Sequence, residues 1–484
     1  TKEAFTGSAK KVDGTKLQQK NTSNVSQAIA GEVAGLQVTN TTGQPGTAST
    51  VRIRGFGSVN GNRDPLYVVD GVPFSGNITS INNADIDNVT VLKDAAATAI
   101  YGSRGANGVI VITTKTGRGQ SSFIEADVNF GTNMSLLPRY DVIKSPEEYI
   151  GLSWEAMYNE GVLAGEDGAA YANEYLFSDR GINPLNNLWN VSSVSDLIDP
   201  ITRKVKNNVT RKFDPENWED HAFQNAARTD LNVRFGGATD KTNYFTSFGY
   251  LGDKGYSINS DFERFTGRVS LDHKVTNWLT VGMNTNYSKV ERNTGGQSED
   301  SGSIFWFVDN IPSIYPLFER DENGNKIDDN IFGGYVYDYG TNSGRKFGSL
   351  TNAIADATYD IKRHKRNELN GRAYVNFNII DGLTFENSLG IQYYNNIYND
   401  RANKFYGSSA SQNGSLYQSR TELNYFNLLN LLRYRKDFGD HSLEALVAHE
   451  AVKWESNILN ASGYNLVDNN ILDFNNVIVS NPVK

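Results

Sequence analysis

The chain has 484 residues, no cysteine, and a net charge of -9 from 46 basic and 55 acidic side chains. The lack of cysteine excludes disulfides, thiolate metal sites and cysteine nucleophiles, and the acidic balance argues against a general nucleic-acid-binding surface. Aromatic residues reach 11%, although hydrophobic residues make up only 38%. This composition favours many short strands joined by polar loops over three packed globular domains.

No part of the sequence contains the roughly 18 to 20 consecutive apolar residues that a transmembrane helix requires. A helical membrane protein is therefore excluded. A transmembrane β-barrel remains open, because its strands are about ten residues long and turn only every second side chain towards lipid. The first residues, Thr1-Lys2-Glu3, lack a start methionine and an apolar signal core, which indicates a mature or trimmed chain.

Residues 24–118 predict a compact α/β module, which begins with a helix. Apolar residues spaced by three and four indicate a short helix from Val25, capped by Ser23 or Asn24 and ended by Gly35.

The rest of this module is predicted to be rich in strands. An alanine-rich helix is expected over Asp94–Tyr101 with Gly102 as its stop. The Asp70-Gly71 pair predicts a tight turn after a strand. β-branched runs predict strands at residues 51–54, 66–69, 89–92 and 109–113.

From residue 119 onward the hydrophobic period changes to two. Ile124, Val128 and Phe130 alternate with polar or acidic neighbours, so each strand has one apolar and one polar face. The pattern predicts about nine strands, near residues 124–130, 231–235, 243–251, 265–271, 279–287, 369–379, 383–393, 421–435 and 443–452.

The connections between these strands alternate between long and short. A transmembrane barrel with short turns on one membrane side and long loops on the other predicts this alternation, whereas a sandwich or a propeller does not. The long loops are then extracellular and the short turns periplasmic. The long loops are expected at about residues 132–228, 291–366 and 396–420.

A series of short motifs follows in order along the first 118 residues. They are Gly31–Val38, Gly43–Gly46, Ile53–Gly55, Pro65–Pro73, Asp85–Ile86, Val91–Ala95, Ile100–Arg104 and Gly105–Lys115. The order of these motifs resembles the plug domain of TonB-dependent receptors. Their residues are similar to those of the SusC-like branch of this family, from Bacteroidetes. Residues 217–290 are similar, less closely, to early barrel segments of the same branch.

The resemblance implies an α/β plug domain inside a transmembrane antiparallel β-barrel of about 22 strands, of which about nine are in this chain. It divides the chain into a periplasmic N-terminal extension over residues 1–23, a plug domain over 24–118, and the N-terminal part of the barrel over 119–484. The family's TonB-recognition box precedes the segment that matches Phe5–Gly7, so we expect it upstream. We expect the missing strands in further sequence or in a separate piece, because an open sheet edge is not viable in lipid.

The resemblance also implies active import of an oligosaccharide or oligopeptide across the outer membrane. TonB, energised by ExbB and ExbD, would open the plug, and a SusD-like surface lipoprotein would act as a lid. The implied assembly is a dimer of transporter and lipoprotein pairs in outer-membrane lipid, with no nucleic acid, no cofactor and no enzymatic activity. The alternative is a non-transporting outer-membrane receptor or scaffold that retains plug and barrel.

Ten residues of the plug motifs are candidate functional positions. Four of them are cations that either pair with acidic side chains of the barrel lumen or are simply solvated: Arg52, Arg54, Lys93 and Arg104. The others are Gly55, Asp70, Gly71, Asp94, Tyr101 and Gly102.

Aromatic side chains of the long loops are the candidate ligand contacts, because sugar rings stack on aromatic faces. The alternative for each is packing within the loops or against the lid protein. The candidates are Trp189, Trp218, Phe305, Trp306, Phe307, Tyr335, Tyr337 and Tyr339.

Motifs for other chemistry are incomplete. Gly55–Gly61 resembles a dinucleotide-binding fingerprint, but its third glycine comes one residue late. Asp321–Asn325 has the alternating oxygens of a calcium loop, but Lys326 and Phe332 stand where glycine and glutamate are needed. We therefore expect no cofactor site and no metal site.

Overall fold

The structure is a computed structural model that describes residues 9–55, 61–94, 98–117, 119, 121–136, 138–296, 302–439 and 441–480. Residues 9–117 form a small α/β domain, here called the plug. Its strands are β1 (Ala9–Asp13), β2 (Leu36–Thr39), β3 (Thr50–Ile53), β4 (Leu66–Val69), β5 (Val72–Phe74), β6 (Ile86–Leu92) and β7 (Val109–Thr114).

Five of these strands form one mixed sheet in the order β1-β6-β7-β4-β5, in which only β4 and β7 are parallel. Strands β2 and β3 pair separately. The core beneath the sheet is apolar and fully buried, with Leu17, Ile29, Ile86, Ile110 and Ile112 at 0% exposure. The helices are α1 (Gly14–Gln19) and α2 (Val25–Ala28), and 3-10 turns cover Ile78–Ser80, Asn83–Asp85 and Ala99–Gly105.

The helix predicted from Val25 is shorter than expected. Asn24 caps it by accepting a hydrogen bond from the Gln27 amide, but the helix ends at Ala28 instead of Gly35. Gly31 adopts a φ of 77°, a left-handed conformation that a continuing helix does not contain. Apolar periodicity persists beyond the helix because the turns that follow pack on the same core.

The second predicted helix is also different. Residues 95–97 of the expected span Asp94–Tyr101 lie outside the described residues, and the part from Ala99 is a 3-10 turn. Gly102 interrupts this turn with φ 56° and ψ -142°. The tight turn at Asp70-Gly71 is confirmed: both residues have positive φ, 47° and 87°, as a two-residue hairpin turn requires.

The plug begins before residue 24, where the sequence placed its start. Strand β1 pairs over its whole length with β6, from Ala9 opposite Leu92 to Asp13 opposite Asn88. Helix α1 follows at once and buries Leu17 in the plug core. The described part of the expected N-terminal extension is therefore an edge strand and a helix of the plug, because its backbone pairs with β6 and its Val12 and Leu17 are buried in the plug core.

The second part of the fold is one antiparallel sheet of ten strands, here called the wall, in which each strand pairs with the next along the chain. Nine of these strands match the nine expected from the sequence. The short tenth strand, Val477–Ser480, was not expected. The wall strands are β8 (Phe123–Asn133), β11 (Ala226–Ala238), β12 (Thr242–Lys254), β13 (Asp261–Lys274), β14 (Leu279–Asn293), β15 (Ile361–Ile380), β16 (Leu383–Ala402), β17 (Ser415–Phe438), β18 (His441–Leu466) and β19 (Val477–Ser480); β9 (Ile198–Asp199) and β10 (Lys204–Val205) form a separate pair.

The two faces of the wall differ in polarity, as the alternation predicts. In β13, Arg264 and Arg268 are buried against the plug, whereas Phe265 and Val269 point away from it and are 51% and 42% exposed. An apolar outer face and a polar inner face suit a sheet that separates lipid from an aqueous lumen.

The wall connections lie in two groups. Turns at one end are short, as between Ala238 and Thr242 or Ile380 and Leu383. The other end, the long-loop end, carries residues 134–225, 294–360 and 403–414, here called the loop layer. Its helices are α3 (Pro146–Leu163), α4 (Gly168–Tyr175), α5 (Val194–Leu197), α6 (Trp218–Ala222), α7 (Ile304–Asn310) and α8 (Ala353–Tyr359), with 3-10 turns at Pro184–Asn186 and Ala410–Gln412; a last 3-10 turn, Phe474–Asn476, precedes β19.

None of the helices in the described ranges is long and apolar enough to cross a membrane.

Candidate functional site

The contact between plug and wall, here called the seam, consists largely of hydrogen bonds from wall side chains to plug backbone. Arg264 is 4% exposed and its Nη1 donates to three plug carbonyls, those of Ser23, Thr79 and Ile81, at 3.0, 2.8 and 3.0 Å. One wall cation therefore joins two plug segments that are far apart in sequence.

A buried acid of the wall holds the same plug segment. Glu368 is fully buried and its Oε2 accepts from Ser80 Oγ at 2.5 Å and from the Asn77 amide at 3.3 Å. Arg366 lies beside it, with 3.8 Å between Nε and Oε2. A Cβ at Gly76 would collide with this carboxylate, so glycine is required for the close approach.

The Asp70-Gly71 turn is held by two more arginines. Asp70 accepts from the Thr114 amide and Oγ1 at 2.9 and 2.6 Å inside the plug. From the wall, Arg372 Nη1 donates to the Asp70 carbonyl at 3.4 Å. Arg268 donates to the Lys115 carbonyl at 2.6 Å and also to Thr114 Oγ1. The hairpin turn thus also forms a contact with the wall.

The four plug cations have different surroundings. Arg104 pairs with Glu450 of the wall at 2.8 Å. Arg52 pairs with Asp64 of the plug, and Lys93 donates to the Ala34 carbonyl at 3.0 Å. Within the described residues only Arg104 of these four forms an ion pair with a wall acid.

The remaining plug-motif residues occupy turns. Arg54 and Gly55 follow β3 with positive φ values of 55° and 93°. The Asp94 carbonyl accepts from the Thr98 amide at 3.1 Å, and Tyr101 lies in the 3-10 turn that Gly102 interrupts.

A pocket of about 450 Å³ lies at the long-loop end, where the plug meets the wall; we call it the apical pocket. It is lined by plug residues 41–45, by residues 255–257 and Ser260 of the β12–β13 loop, and by Ser303 and Phe305. Gln44 ties this part of the plug to the wall by donating to the Asn293 carbonyl at 2.9 Å. The plug and the loop layer therefore both line this pocket, whose volume is sufficient for a small ligand.

An aromatic group borders the apical pocket. The ring of Phe305 lies 5.2 Å from that of Phe223 and 5.8 Å from that of Tyr256. Arg139 stacks 4.3 Å above Phe223 and pairs with Asp309. The three rings pack against one another, and each of them remains half-buried.

Four of the eight predicted aromatic ligand contacts are buried in the loop layer, so the prediction was wrong for them. Trp189 and Phe307 are 1% and 0% exposed, and Trp218 and Tyr339 are 4% and 5% exposed. Trp218 also donates its indole N–H to the Tyr315 carbonyl at 3.0 Å. Long loops of this length bury their own aromatic cores, and the sequence pattern does not distinguish such rings from binding rings.

The other four aromatic candidates keep accessible surface. Phe305 is the one that lines the apical pocket. Trp306 is 45% exposed and stacks on Phe347, and Tyr335 is 42% exposed. Tyr337 is half-buried against Phe318.

Sequence reasoning missed most of the apical pocket. Tyr256 and Ser257 were not singled out, Ser260 was noted only within the barrel motif at residues 259–262, and residues 43–46 were noted only as a plug motif. The pocket joins segments more than 200 residues apart. The motif at residues 259–262 directly follows part of the lining and was the nearest signal in the sequence.

A half-buried acid in the loop layer has a shifted pKa. Burial raises the pKa of Asp356 to about 7, and the nearby negative charge of Asp360 acts in the same direction. The Tyr339 hydroxyl donates to Asp356 at 2.9 Å, and the pKa of Tyr339 is raised by burial and by this acid.

The described residues contain no group of three side chains suited to hold a metal ion. The calcium-like segment at Asp321 is a turn closed on itself: the carboxylate accepts from the amides of Asn323 and Asn325 at 2.9 and 2.8 Å.

Comparison with known proteins agrees with this architecture. Residues 1–109 match the family model of the TonB-dependent receptor plug domain. TonB-dependent receptor P26 of Formosa agariphila is 26% identical over 493 residues, covering 100% of this chain and 43% of that protein. TonB-dependent receptor SusC of Bacteroides thetaiotaomicron is 27% identical over 484 residues, covering 94% of this chain and 42% of that protein.

The fold is also found in a solved structure. The RagAB peptide importer in its closed-closed state superposes with a TM-score of 0.76 at 24% identity, covering 99% of this chain and 52% of that chain. This chain therefore spans about half the length, or less, of the proteins it matches.

A plug domain fastened to the polar face of an antiparallel wall is the architecture of a TonB-dependent receptor, and residues 1–109 match the plug domain of that class. Over its length the chain is similar to SusC and to other TonB-dependent receptors, which confirms the predicted resemblance to the SusC-like branch. The class and the fold imply a location in the outer membrane.

Proposed function

We propose that the whole protein imports an oligosaccharide or oligopeptide across the outer membrane in a TonB-dependent way. The observation that carries this proposal is a contrast at the plug. Its own core is apolar and largely buried, whereas the wall holds it by hydrogen bonds: Arg264 donates to plug carbonyls, and Glu368 and Gln392 accept from Ser80 and from the Ser75 amide.

Water can replace such hydrogen bonds, since the net contribution is only about 1 kcal/mol for a bond between neutral groups and about 1.5 to 3 kcal/mol for a bond to a charged group. Exposing the apolar core of the plug to water would instead cost free energy in proportion to the area exposed, and water offers no compensating contact. A plug of this construction can shift or leave as a folded unit when it is pulled. A static scaffold gains nothing from a folded plug with an exchangeable surface, so the contrast favours import over the alternative of a non-transporting receptor.

The proposed partners follow from the same class. TonB with ExbB and ExbD supplies the force, and a SusD-like surface lipoprotein covers the loop layer, in a dimer of such pairs. The exposed rings of Trp306 and Tyr335 give the loop layer aromatic surface of the kind found at protein interfaces.

The chain offers a direct test because it contains no cysteine. A Cβ built on Gly390 of the wall lies 3.4 Å from the Cβ of Val72 in the plug, close to the separation of about 3.8 Å in disulfides. The double variant Val72→Cys with Gly390→Cys, in the full-length protein, locks the plug to the wall. We expect uptake of the ligand to stop on oxidation and to return on reduction.

Each single-cysteine variant serves as the matched control and keeps uptake under both conditions. The same uptake assay in cells without TonB completes the test. Uptake that continues in the oxidised double variant, or without TonB, contradicts the proposal.

A further inference from the structure

We propose that the outer face of wall strands β16 to β18 is the surface on which a second copy of this chain docks within the membrane. This inference deepens the proposed function, because it names the contact between the two transporters of the proposed assembly. Three polar side chains in the middle of an apolar face carry it: Asn387, Asn430 and His449. We call these three residues the outer polar cluster.

The outer polar cluster faces away from the plug. Side chains alternate between the two faces of a strand, and the residues that contact the plug identify the inner face. In β16, β17 and β18 such residues are Gln392, Tyr425 and Glu450. Each member of the cluster is an odd number of positions from the plug contact of its own strand, and strand pairing is regular over this region. The cluster therefore lies on the opposite face.

The three side chains form a row across the strands. Asn387 lies opposite Asn430, and Asn430 lies opposite His449. Asn387 Nδ2 donates to Asn430 Oδ1 at 2.6 Å, and Asn430 Nδ2 lies 3.3 Å from His449 Nδ1. Within the described residues these side chains make no other hydrogen bond. The Asn387 side-chain oxygen and His449 Nε2 are therefore available to another molecule.

The cluster lies at the depth of the hydrocarbon. The outward residues of β17 are, in order from the short-turn side, Tyr434, Leu432, Asn430, Leu428 and Phe426. Asn430 is at the centre of this run, which is about 26 Å long along the tilted strand at about 3.3 Å per residue. Barrels of this class place an apolar band about 25 Å tall in the bilayer. Beyond the run the outward residues are polar again, with Glu422 and Arg420.

Polar groups at this depth are costly unless they are paired, because hydrocarbon offers no hydrogen bond. The neighbouring strand β15 avoids this cost. Its outward residues at the same level are Phe377, Val375, Ala373, Gly371 and Leu369. A protein partner that brings donors and acceptors to the outer polar cluster removes the cost, as polar side chains do between membrane-spanning segments.

A second copy of the chain is the occupant that fits this surface. An amide carries both donors and an acceptor, and so does a neutral imidazole, so the cluster is complementary to itself. A two-fold axis brings the same patch of two copies together. The side chains around the cluster are apolar and exposed, so they pack against their counterparts: Leu389, Phe426, Leu432 and Val447.

The first test removes the cluster from the full-length protein in liposomes. The triple variant Asn387→Leu, Asn430→Leu and His449→Leu makes this face uniformly apolar, which suits lipid, and heat-modifiable migration on gels shows that the barrel is folded. Energy transfer between copies labelled at Glu322→Cys, an exposed loop position, measures dimerisation. We expect the wild type to dimerise and the triple variant to do so at least about tenfold more weakly.

A matched control removes another hydrogen-bonded polar pair from the outer face. Thr242 Oγ1 and His273 Nδ1 are 2.8 Å apart at the short-turn end of β12 and β13. The double variant Thr242→Val with His273→Leu should dimerise like the wild type, because this pair lies at the edge of the apolar band.

The second test locates the contact by cross-linking. The chain contains no cysteine, so single variants give one reactive thiol in each copy. A short bismaleimide added to membranes should link Val447→Cys, beside the cluster, into a product of twice the chain mass. Phe265→Cys, which points outward from β13 with 51% exposure, should remain uncross-linked.

Three outcomes overturn the inference. They are a triple variant that dimerises as tightly as the wild type, a Val447→Cys product that contains a different protein, and cross-linking of Phe265→Cys that equals that of Val447→Cys. TonB-dependent uptake by a wild-type protein that stays monomeric would leave the proposed function intact while this inference fails. Uptake without TonB would instead remove the proposed function and leave the docking surface standing.

Discussion

The loop layer and the seam are both built from residues that are almost completely buried, yet their chemistry is opposite. The loop layer buries Trp154, Trp189 and Phe307 at 0 to 1% exposure. The seam buries Arg264 and Glu368 at 4% and 0% exposure. One region is held mainly by apolar packing and the other mainly by hydrogen bonds between wall and plug, beside one small apolar cluster of Val72, Leu423 and Tyr425.

This difference distinguishes the loop layer, which must stay folded, from the seam, whose contacts can change. Apolar cores unfold cooperatively, and losing them exposes surface to water at about 25 cal/mol per Å². Hydrogen bonds across a polar interface exchange with water at low net cost. The loop layer is therefore expected to remain a fixed rim around the apical pocket while the plug changes its contacts beneath it.

The largest effect is expected from the loop layer. Trp154 stacks on Tyr158 and donates to Asn173 at 2.9 Å. Trp154→Ala should lower the free energy of unfolding of α3 and α4 by about 3 to 5 kcal/mol, because it leaves a large cavity. Amide hydrogen exchange of α3 and α4 measures it. Trp454→Ala, in wall strand β18 with 59% exposure, is the control, and equal loss of protection in the plug would contradict a separate loop-layer core.

The seam is expected to respond next. Arg264→Met removes the donor to three plug carbonyls and should cost about 3 kcal/mol, since bonds from a charged donor contribute about 1.5 to 3 kcal/mol and do not add fully. Faster amide exchange is expected at residues 77–82, with α3 unchanged. Arg433→Met is the matched control, because Arg433 is exposed near the short turns. Unaltered exchange at residues 77–82 would show that these bonds do not hold the plug.

A pH dependence of the loop layer is expected from Asp356. Its pKa of about 7 in the folded protein lies above the ordinary value of 3.8. The folded state therefore holds the proton more tightly, so this acid's contribution to stability is largest below about pH 4 and is lost as the pH rises to about 7. Amide exchange of α8, corrected for intrinsic pH effects, should show this slope.

Two substitutions show whether Asp356 causes this dependence of α8 stability on pH. Asp356→Asn should flatten the profile, because the side chain no longer ionises, whereas Glu322→Gln, at an exposed position in the same loop, should leave it unchanged. A slope that survives in Asp356→Asn would assign it to another group.

The smallest effect is expected from Arg104, one of the four plug cations that the sequence indicated as candidate functional positions. Arg104 and Glu450 form an ion pair whose side chains are 38% and 36% exposed. Arg104→Gln should change plug stability by less than about 1 kcal/mol, because solvent screens such a pair. Urea titration of the plug signal measures it beside Arg264→Met. A loss larger than that of Arg264→Met would reverse the proposed order of seam contacts.

Patterns that repeat along neighbouring residues could be predicted from the sequence. Alternation with period two located nine wall strands, and the positive φ that Asp70-Gly71 favours located a hairpin turn. Motif order gave the receptor class before any contact was known. Helix lengths were less predictable, because Gly31 ends α2 early while apolar spacing continues into the turns.

The sequence by itself determined the architecture: an α/β plug followed by a wall with one polar and one apolar face, since both follow from local periodicity. The tertiary structure alone decided that wall arginines hold plug carbonyls, that Trp189 and Phe307 are core residues, and that residues 41–45 meet Phe305 in one pocket. Those contacts join residues up to hundreds of positions apart, so they depend on how the elements pack and carry no repeating signal in the chain.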